Sequence, residues 1–194
     1  MYYPDLSVYR IGRNEKGYTI YPSIKNIGWL SPEFNFNTGS VSEEFCFNLK
    51  ELLFVGIANN EHRRNANLSE IIINENYVRS PPMNCPICND SVVIKPNKGG
   101  YYTGEKSKHL GNSEIEIYDL ENNISYCFPT LIYHYVEEHN YVPPQRFVDA
   151  IVNFDFKRPY DVSNRDVAID SKKVSANEMY SLDKELEELG TYHD

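Results

Sequence analysis

Two short stretches constrain this chain more than anything else in it: Cys85-Pro86-Ile87-Cys88, and the run from Pro129 to His139 that contains His134. A C-x-x-C turn followed downstream by H-x-x-x-x-H offers two thiolates and two imidazoles, the donor set that a tetrahedral zinc ion takes in structural sites. The expected ligands are Cys85, Cys88, His134 and His139, holding one structural Zn2+ and drawing their segments into a single unit. A second set exchanges one histidine for Cys127. The metal-free reading leaves the cysteines reduced and buried and the histidines as ordinary helix residues. A redox pair fits less well, because reactive C-x-x-C thiols sit at a helix N-terminus that lowers their pKa, and no helix pattern starts at Pro86-Ile87.

The neighbouring pattern gives this unit an expected shape. Pro86 between the cysteines, with Asn89 and Asp90 behind them, suits a tight turn that points both sulfurs one way, a zinc knuckle. Val92 to Ile94 reads as a strand, and a Gly- and Lys-rich loop from Lys95 to Gly111 follows. Glu114 to Tyr118 alternates with period two, Glu121-Asn122-Asn123 supplies turn residues, and Ile124 to Phe128 returns, which predicts a hairpin. Pro129-Thr130 then opens a helix with Leu131, Ile132, Tyr135 and Val136 on its apolar face. Knuckle, hairpin and helix are the parts of a treble-clef-like zinc module, here covering residues 80–145. Five residues advance a helix by about 500°, leaving His134 and His139 about 140° apart on a regular one. Both reach one ion only if His139 lies where the helix ends, and Asn140-Tyr141-Val142-Pro143-Pro144 ends it.

Elsewhere the elements are short. Turn formers from Gly12 to Gly17 separate Tyr9-Arg10-Ile11 from Tyr18-Thr19-Ile20, which reads as two strands and a loop. Ile24 to Leu30 reads as another strand, in which Gly28 lets a neighbour pack closely. Val41 to Val55 repeats apolar residues at helical spacing, with Ser40 and Glu43 as a capping box, Gly56 as its stop, and Cys46 as a small buried hydrophobe. Residues 58–69, with His62, Arg63 and Arg64, read as a solvated connector, and Glu70 to Ile73 as a strand. Pro143 to Val152 reads as a helix with Phe147, Val148 and Ile151 inward. The expected architecture is a single α+β domain of antiparallel strands over residues 1–160. A polar linker over 161–177 and an amphipathic C-terminal helix over 178–190 follow, the helix carrying Met179, Leu182, Leu186 and Leu189.

Charge bears on function. The 19 basic and 28 acidic residues leave a net charge of −9, which disfavours a broad nucleic-acid footprint built on phosphate neutralisation and suits a basic protein partner. Lys95 to His109 is the one locally basic stretch, with Lys95, Lys98, Lys106 and Lys108 beside Tyr101 and Tyr102, and reads as a mobile, solvated loop. No apolar run reaches the roughly 18 residues of a membrane span. The first residues lack the basic start and apolar core of a signal peptide, so a reducing cytoplasm is expected.

Several blocks stand in order along the chain: Tyr3-Pro4-Asp5-Leu6-Ser7-Val8-Tyr9, Ile27-Gly28-Trp29-Leu30 with Phe36-Asn37-Thr38-Gly39, the C-x-x-C, and Pro129 through Phe147. Together they resemble a family of small uncharacterised bacterial proteins over residues 1–152. The resemblance implies one continuous domain and a cytosolic location, and it brings no catalytic residues.

Two functions from different classes follow. The first is a non-catalytic, zinc-stabilised protein-binding protein, such as an immunity or antitoxin-like inhibitor of a basic toxin, with the C-terminal helix as a route to self-association. The second is a metal-dependent hydrolase or nuclease of treble-clef type. It needs three protein ligands, a metal-bound water, and a general base from Glu114, Glu116 or Glu138.

Overall fold

The chain begins with a turn and a hairpin. The structure, a computed structural model, describes residues 2–14, 17–57, 74–75, 81–102, 104–119, 121–156, 172–174 and 181. Strands β1 (Val8–Asn14) and β2 (Gly17–Asn26) pair antiparallel with Tyr9 opposite Tyr21, and a register shift follows Val8. Strands β6 (Glu114–Asp119) and β7 (Ile124–Pro129) form the expected second hairpin, with Glu116 opposite Cys127. Asn123 at its turn takes a φ of 52°, a left-handed conformation that asparagine tolerates better than most side chains.

The hairpins join edge to edge through β2 and β7, with Asn26 beside Cys127. This pair is parallel, so the sheet is mixed rather than purely antiparallel. The two hairpins carry separate local signals, whereas their relative direction is set by the long chain between them. Strand β3 (Asn74–Glu75) extends β6, giving the order β1-β2-β7-β6-β3, and β8 (Lys172–Val174) pairs with β2. A separate two-stranded ladder joins β4 (Val93–Ile94) to β5 (Lys108–His109).

Three helices are described: α1 (Glu43–Ile57), α2 (Ile132–His139) and α3 (Gln145–Val152). The core gathers Phe45, Leu49, Leu52 and Leu53 of α1, Ile115 and Ile117 of β6, Tyr126 and Phe128 of β7, Ile132 of α2, and Phe147 and Ile151 of α3. Phe147 sits at its centre, meeting Phe45, Tyr126 and Phe128 edge-on with centroids 6.2, 5.4 and 5.2 Å away. Such T-shaped contacts favour a positive ring edge against a negative ring face. Tyr9, Ile24 and Cys127 form a second, smaller cluster.

Several local expectations are corrected. Helix α1 is capped by Ser42, whose Oγ accepts the Phe45 N–H at 3.1 Å, rather than by Ser40, and it runs through Gly56 to Ile57. Strand β2 stops at Asn26. Beyond it Gly28 has a φ of +67°, and a Cβ there would lie 2.8 Å from Ile132 Cδ1, so this glycine is where α2 comes closest. Glu114 and Glu116 are not a wet hairpin face: they are 6% and 2% exposed, and the Tyr9 hydroxyl donates to Glu114. A period of two marks a strand but does not say that one of its faces meets water.

The basic loop is docked rather than free. The buried Glu51 carboxylate accepts the Tyr102 N–H at 3.0 Å and the Asn97 side-chain amide at 2.8 Å. Gly100 packs where a Cβ would overlap that carboxylate. Lys172–Val174 pair with β2 inside the stretch read as a linker, because an edge strand needs backbone groups more than apolar side chains. The connector 58–69, the strand Glu70 to Ile73 and, Ser181 aside, the helix 178–190 lie outside the described residues. Among the described residues no helix is long and apolar enough to cross a membrane.

Candidate metal centre

Each half of the centre is shaped by local backbone chemistry. In the knuckle, the Asn89 N–H returns to the Cys85 carbonyl at 2.9 Å, and the Cys85 N–H reaches the Asp90 carbonyl at 2.9 Å. Closing so tight a turn puts Asn89 at a φ of 64°, and the Asn84 side chain ties down its carbonyl at 2.9 Å. The Ile87 N–H points at Cys85 Sγ, 3.4 Å away.

The histidines come from α2, which rests on buried Ile132, Tyr135 and Val136. His139 is its last residue, and Asn140 follows in the left-handed conformation with a φ of 53°. The Asn140 N–H and the Tyr141 N–H, the latter at 3.0 Å, both close back on the Tyr135 carbonyl, which satisfies an otherwise orphaned group at the helix end. This stop turns His139 toward His134, and their ring centroids are 5.0 Å apart. Residues 37–39 brace the same end through Gly39 N–H to Asn140 O and Val142 N–H to Asn37 O, both 2.9 Å.

One donor atom from each of Cys85, Cys88, His134 and His139 lies within 4.8 Å of the other three. Cys85 Sγ is 3.3 Å from His139 Nε2, and Cys88 Sγ is 3.3 Å from His134 Nε2. Zinc bond lengths of about 2.3 Å to sulfur and 2.0–2.1 Å to nitrogen give a sulfur-to-nitrogen tetrahedral edge of about 3.5 Å. Those contacts, slightly shorter, fit, so the four residues could hold a metal ion. Cys85 is buried and Cys88 exposed, which places the centre at the rim of the core. Burial lowers the pKa of His134, and His139 adds to this against the opposing influence of Glu138 and Asp90. That favours the neutral imidazole a metal requires.

Cys127 is not part of the cluster: it packs in β7 with Tyr9 and Ile24. Neither Glu114 nor Glu116 joins it, and Glu138 lies exposed on α2.

Sequence reasoning missed what joins the two halves. The Met83 N–H donates to the Gly111 carbonyl at 2.9 Å, and the Gly111 N–H donates to Thr130 Oγ1 at 2.9 Å, just ahead of α2. Gly111 has a φ of +88°, and a Cβ there would overlap the Met83 carbonyl oxygen. The Gly111-Asn112 turn pair was the available signal, but a turn pair does not reveal which distant backbone it touches.

A family model described as a domain of unknown function, DUF7919, matches residues 1–152. No curated protein and no solved structure matches the chain.

Proposed function

We propose, for a chain that belongs to the DUF7919 family, a non-catalytic role: a zinc-stabilised protein-binding protein whose acidic surface engages a basic protein partner. The observation that carries this reading is the convergence of four protein donors on one point. A tetrahedral ion held by all four has no position left for water or substrate, which is the condition of a structural rather than a catalytic zinc site. The two thiolates favour zinc over magnesium or calcium, which prefer oxygen. Knuckle, ladder and histidine-bearing helix follow one another as in a treble clef, and we read the centre as one with the β6–β7 hairpin set between ladder and helix. The net charge of −9 supports a basic partner, because complementary charge raises association rate and specificity. An inhibitor of a basic toxin, acting in a reducing cytoplasm, is the form that suits both features.

Metal analysis of the purified protein with X-ray absorption at the zinc edge tests the centre. One zinc per chain with two sulfur and two nitrogen neighbours is expected. Three protein donors plus a solvent oxygen would restore the hydrolase reading.

A further inference from the structure

A groove runs between the start of α1 and the face of α2 that carries Tyr133 and Glu137, one turn apart. It has a volume of about 280 Å³ and is lined by Glu43, Cys46, Phe47, Asn97, Tyr133 and Glu137 among others. That is just under the roughly 300–1,000 Å³ of pockets for drug-sized ligands, so it has room for a side chain rather than a cofactor. We infer that this groove receives an arginine side chain of a basic protein partner, an inference that rests on the binding role proposed above.

Its chemistry selects that occupant. Glu43 and Glu137 are the acidic residues of the lining, and among the described residues no basic one lines the groove. Phe47, 37% exposed, and half-buried Tyr133 supply aromatic surface. The Tyr133 ring already takes one cation from the chain itself, with Lys50 Nζ 5.5 Å from its centroid. Cys46 adds no charge, since burial and the hydrogen bond with Glu137 push its thiol up to about 11. A guanidinium is the group that both stacks on an aromatic ring and forks onto a carboxylate, whereas an ammonium does only one of these well. One part of the wall is already set: Asn97 is fixed by the Phe47 carbonyl and Glu51 at 3.2 and 2.8 Å, which lowers the ordering cost at binding.

The test measures binding of a fluorescent oligo-arginine peptide, and of its uncharged citrulline counterpart, to the full metal-loaded chain by anisotropy. Glu43→Gln and Glu137→Gln are each expected to weaken oligo-arginine binding about three- to tenfold. Glu121→Gln, which removes the same charge at the exposed β6–β7 turn, is expected to change it less than twofold, and citrulline peptide should not bind. The substituted residues are exposed, and zinc content together with melting temperature confirms that each variant is folded. Equal losses in all three variants would overturn the groove while leaving an acidic binding surface standing. Failure of the wild-type chain to bind oligo-arginine at all would remove the basic-partner reading along with it.

Discussion

With zinc bound at the centre as proposed, a chelator should free the knuckle and leave the sheet intact. Within residues 81–91 only Cys85 is buried. Met83 to Gly111 is a backbone hydrogen bond that ties the segment to the rest of the described fold. A net hydrogen bond is worth about 1 kcal/mol, and ordering each backbone residue costs about 1–2 kcal/mol. Without an ion the segment would be held mainly by the bond to Gly111 and by the packing of Cys85 and Ile87 on the core, too little to match that ordering cost. With free zinc a thousandfold above its Kd, linkage stabilises the folded state by about 4 kcal/mol. At about 2–4 °C per kcal/mol for a chain of this size, stripping the metal should lower Tm by about 8–16 °C. Hydrogen exchange read by mass spectrometry should show the amides of residues 83–94 exchanging at least about a hundredfold faster, with β6 and β7 unchanged and zinc restoring protection where magnesium does not. Knuckle amides equally protected with and without metal would refute this, and so would loss of the whole fold, which would mean that the Phe147-centred core cannot stand alone.

Gly111→Ala should cut zinc affinity by at least about tenfold in competition with a chromophoric chelator, because its Cβ would push the Met83 backbone away from the arm that carries Thr130; unchanged affinity would show that this bridge does not position the knuckle. Cys88→Ala, at an exposed site, should abolish stoichiometric zinc binding with little loss of core packing, whereas Cys127→Ala should keep one zinc per chain and lose about 1–2 kcal/mol to urea. Asp5 predicts a pH dependence. Its carboxylate accepts the Gly28 N–H at 2.8 Å and the Tyr141 hydroxyl at 2.7 Å, yet burial outweighs both and raises its pKa above 3.8. Between the unfolded and folded values the folded chain binds more protons, so this group's contribution to stability falls as pH rises through that interval. Urea midpoints of wild type and Asp5→Asn should therefore differ in slope there, and parallel profiles would refute the assignment.

The candidate centre was legible because its determinants are local. C-x-x-C with a turn former behind it fixes one pair of donors, and the Asn140-to-Pro144 stop explains how two histidines five residues apart can converge. The β6–β7 hairpin was legible for the same reason. What the pattern could not carry was contact between distant segments: the parallel seam of β2 and β7, the burial of Glu114 and Glu116, and Glu51 gripping the loop at Asn97 and Tyr102. Charged letters in a sequence read as surface, and a buried carboxylate that collects hydrogen bonds violates that prior without any local sign. Asp5 shows the same limit on a larger scale, since it joins the first resemblance block to Gly28 in the second and Tyr141 in the last.

Helix α2 has only 8 residues, too few to persist by itself in water, where roughly 12–15 are needed. Its conformation is therefore supplied by the core under Ile132 and Tyr135, by the bond that closes it at Tyr141, and, on the reading proposed above, by the ion that His134 and His139 would hold. Tyr133 and Glu137 ride on the same helix and form one wall of the groove, so an ion in the centre and an arginine in the groove, as proposed, would both favour an ordered α2. If so, chelation should weaken oligo-arginine binding although every groove residue is still present, and by linkage the peptide should tighten zinc binding by the same factor. Coupling of this kind amounts to about 5- to 150-fold, which anisotropy titrations in zinc and in chelator can read. Identical peptide affinity in both conditions would show that α2 holds its shape without the ion, and that the metal serves the knuckle alone.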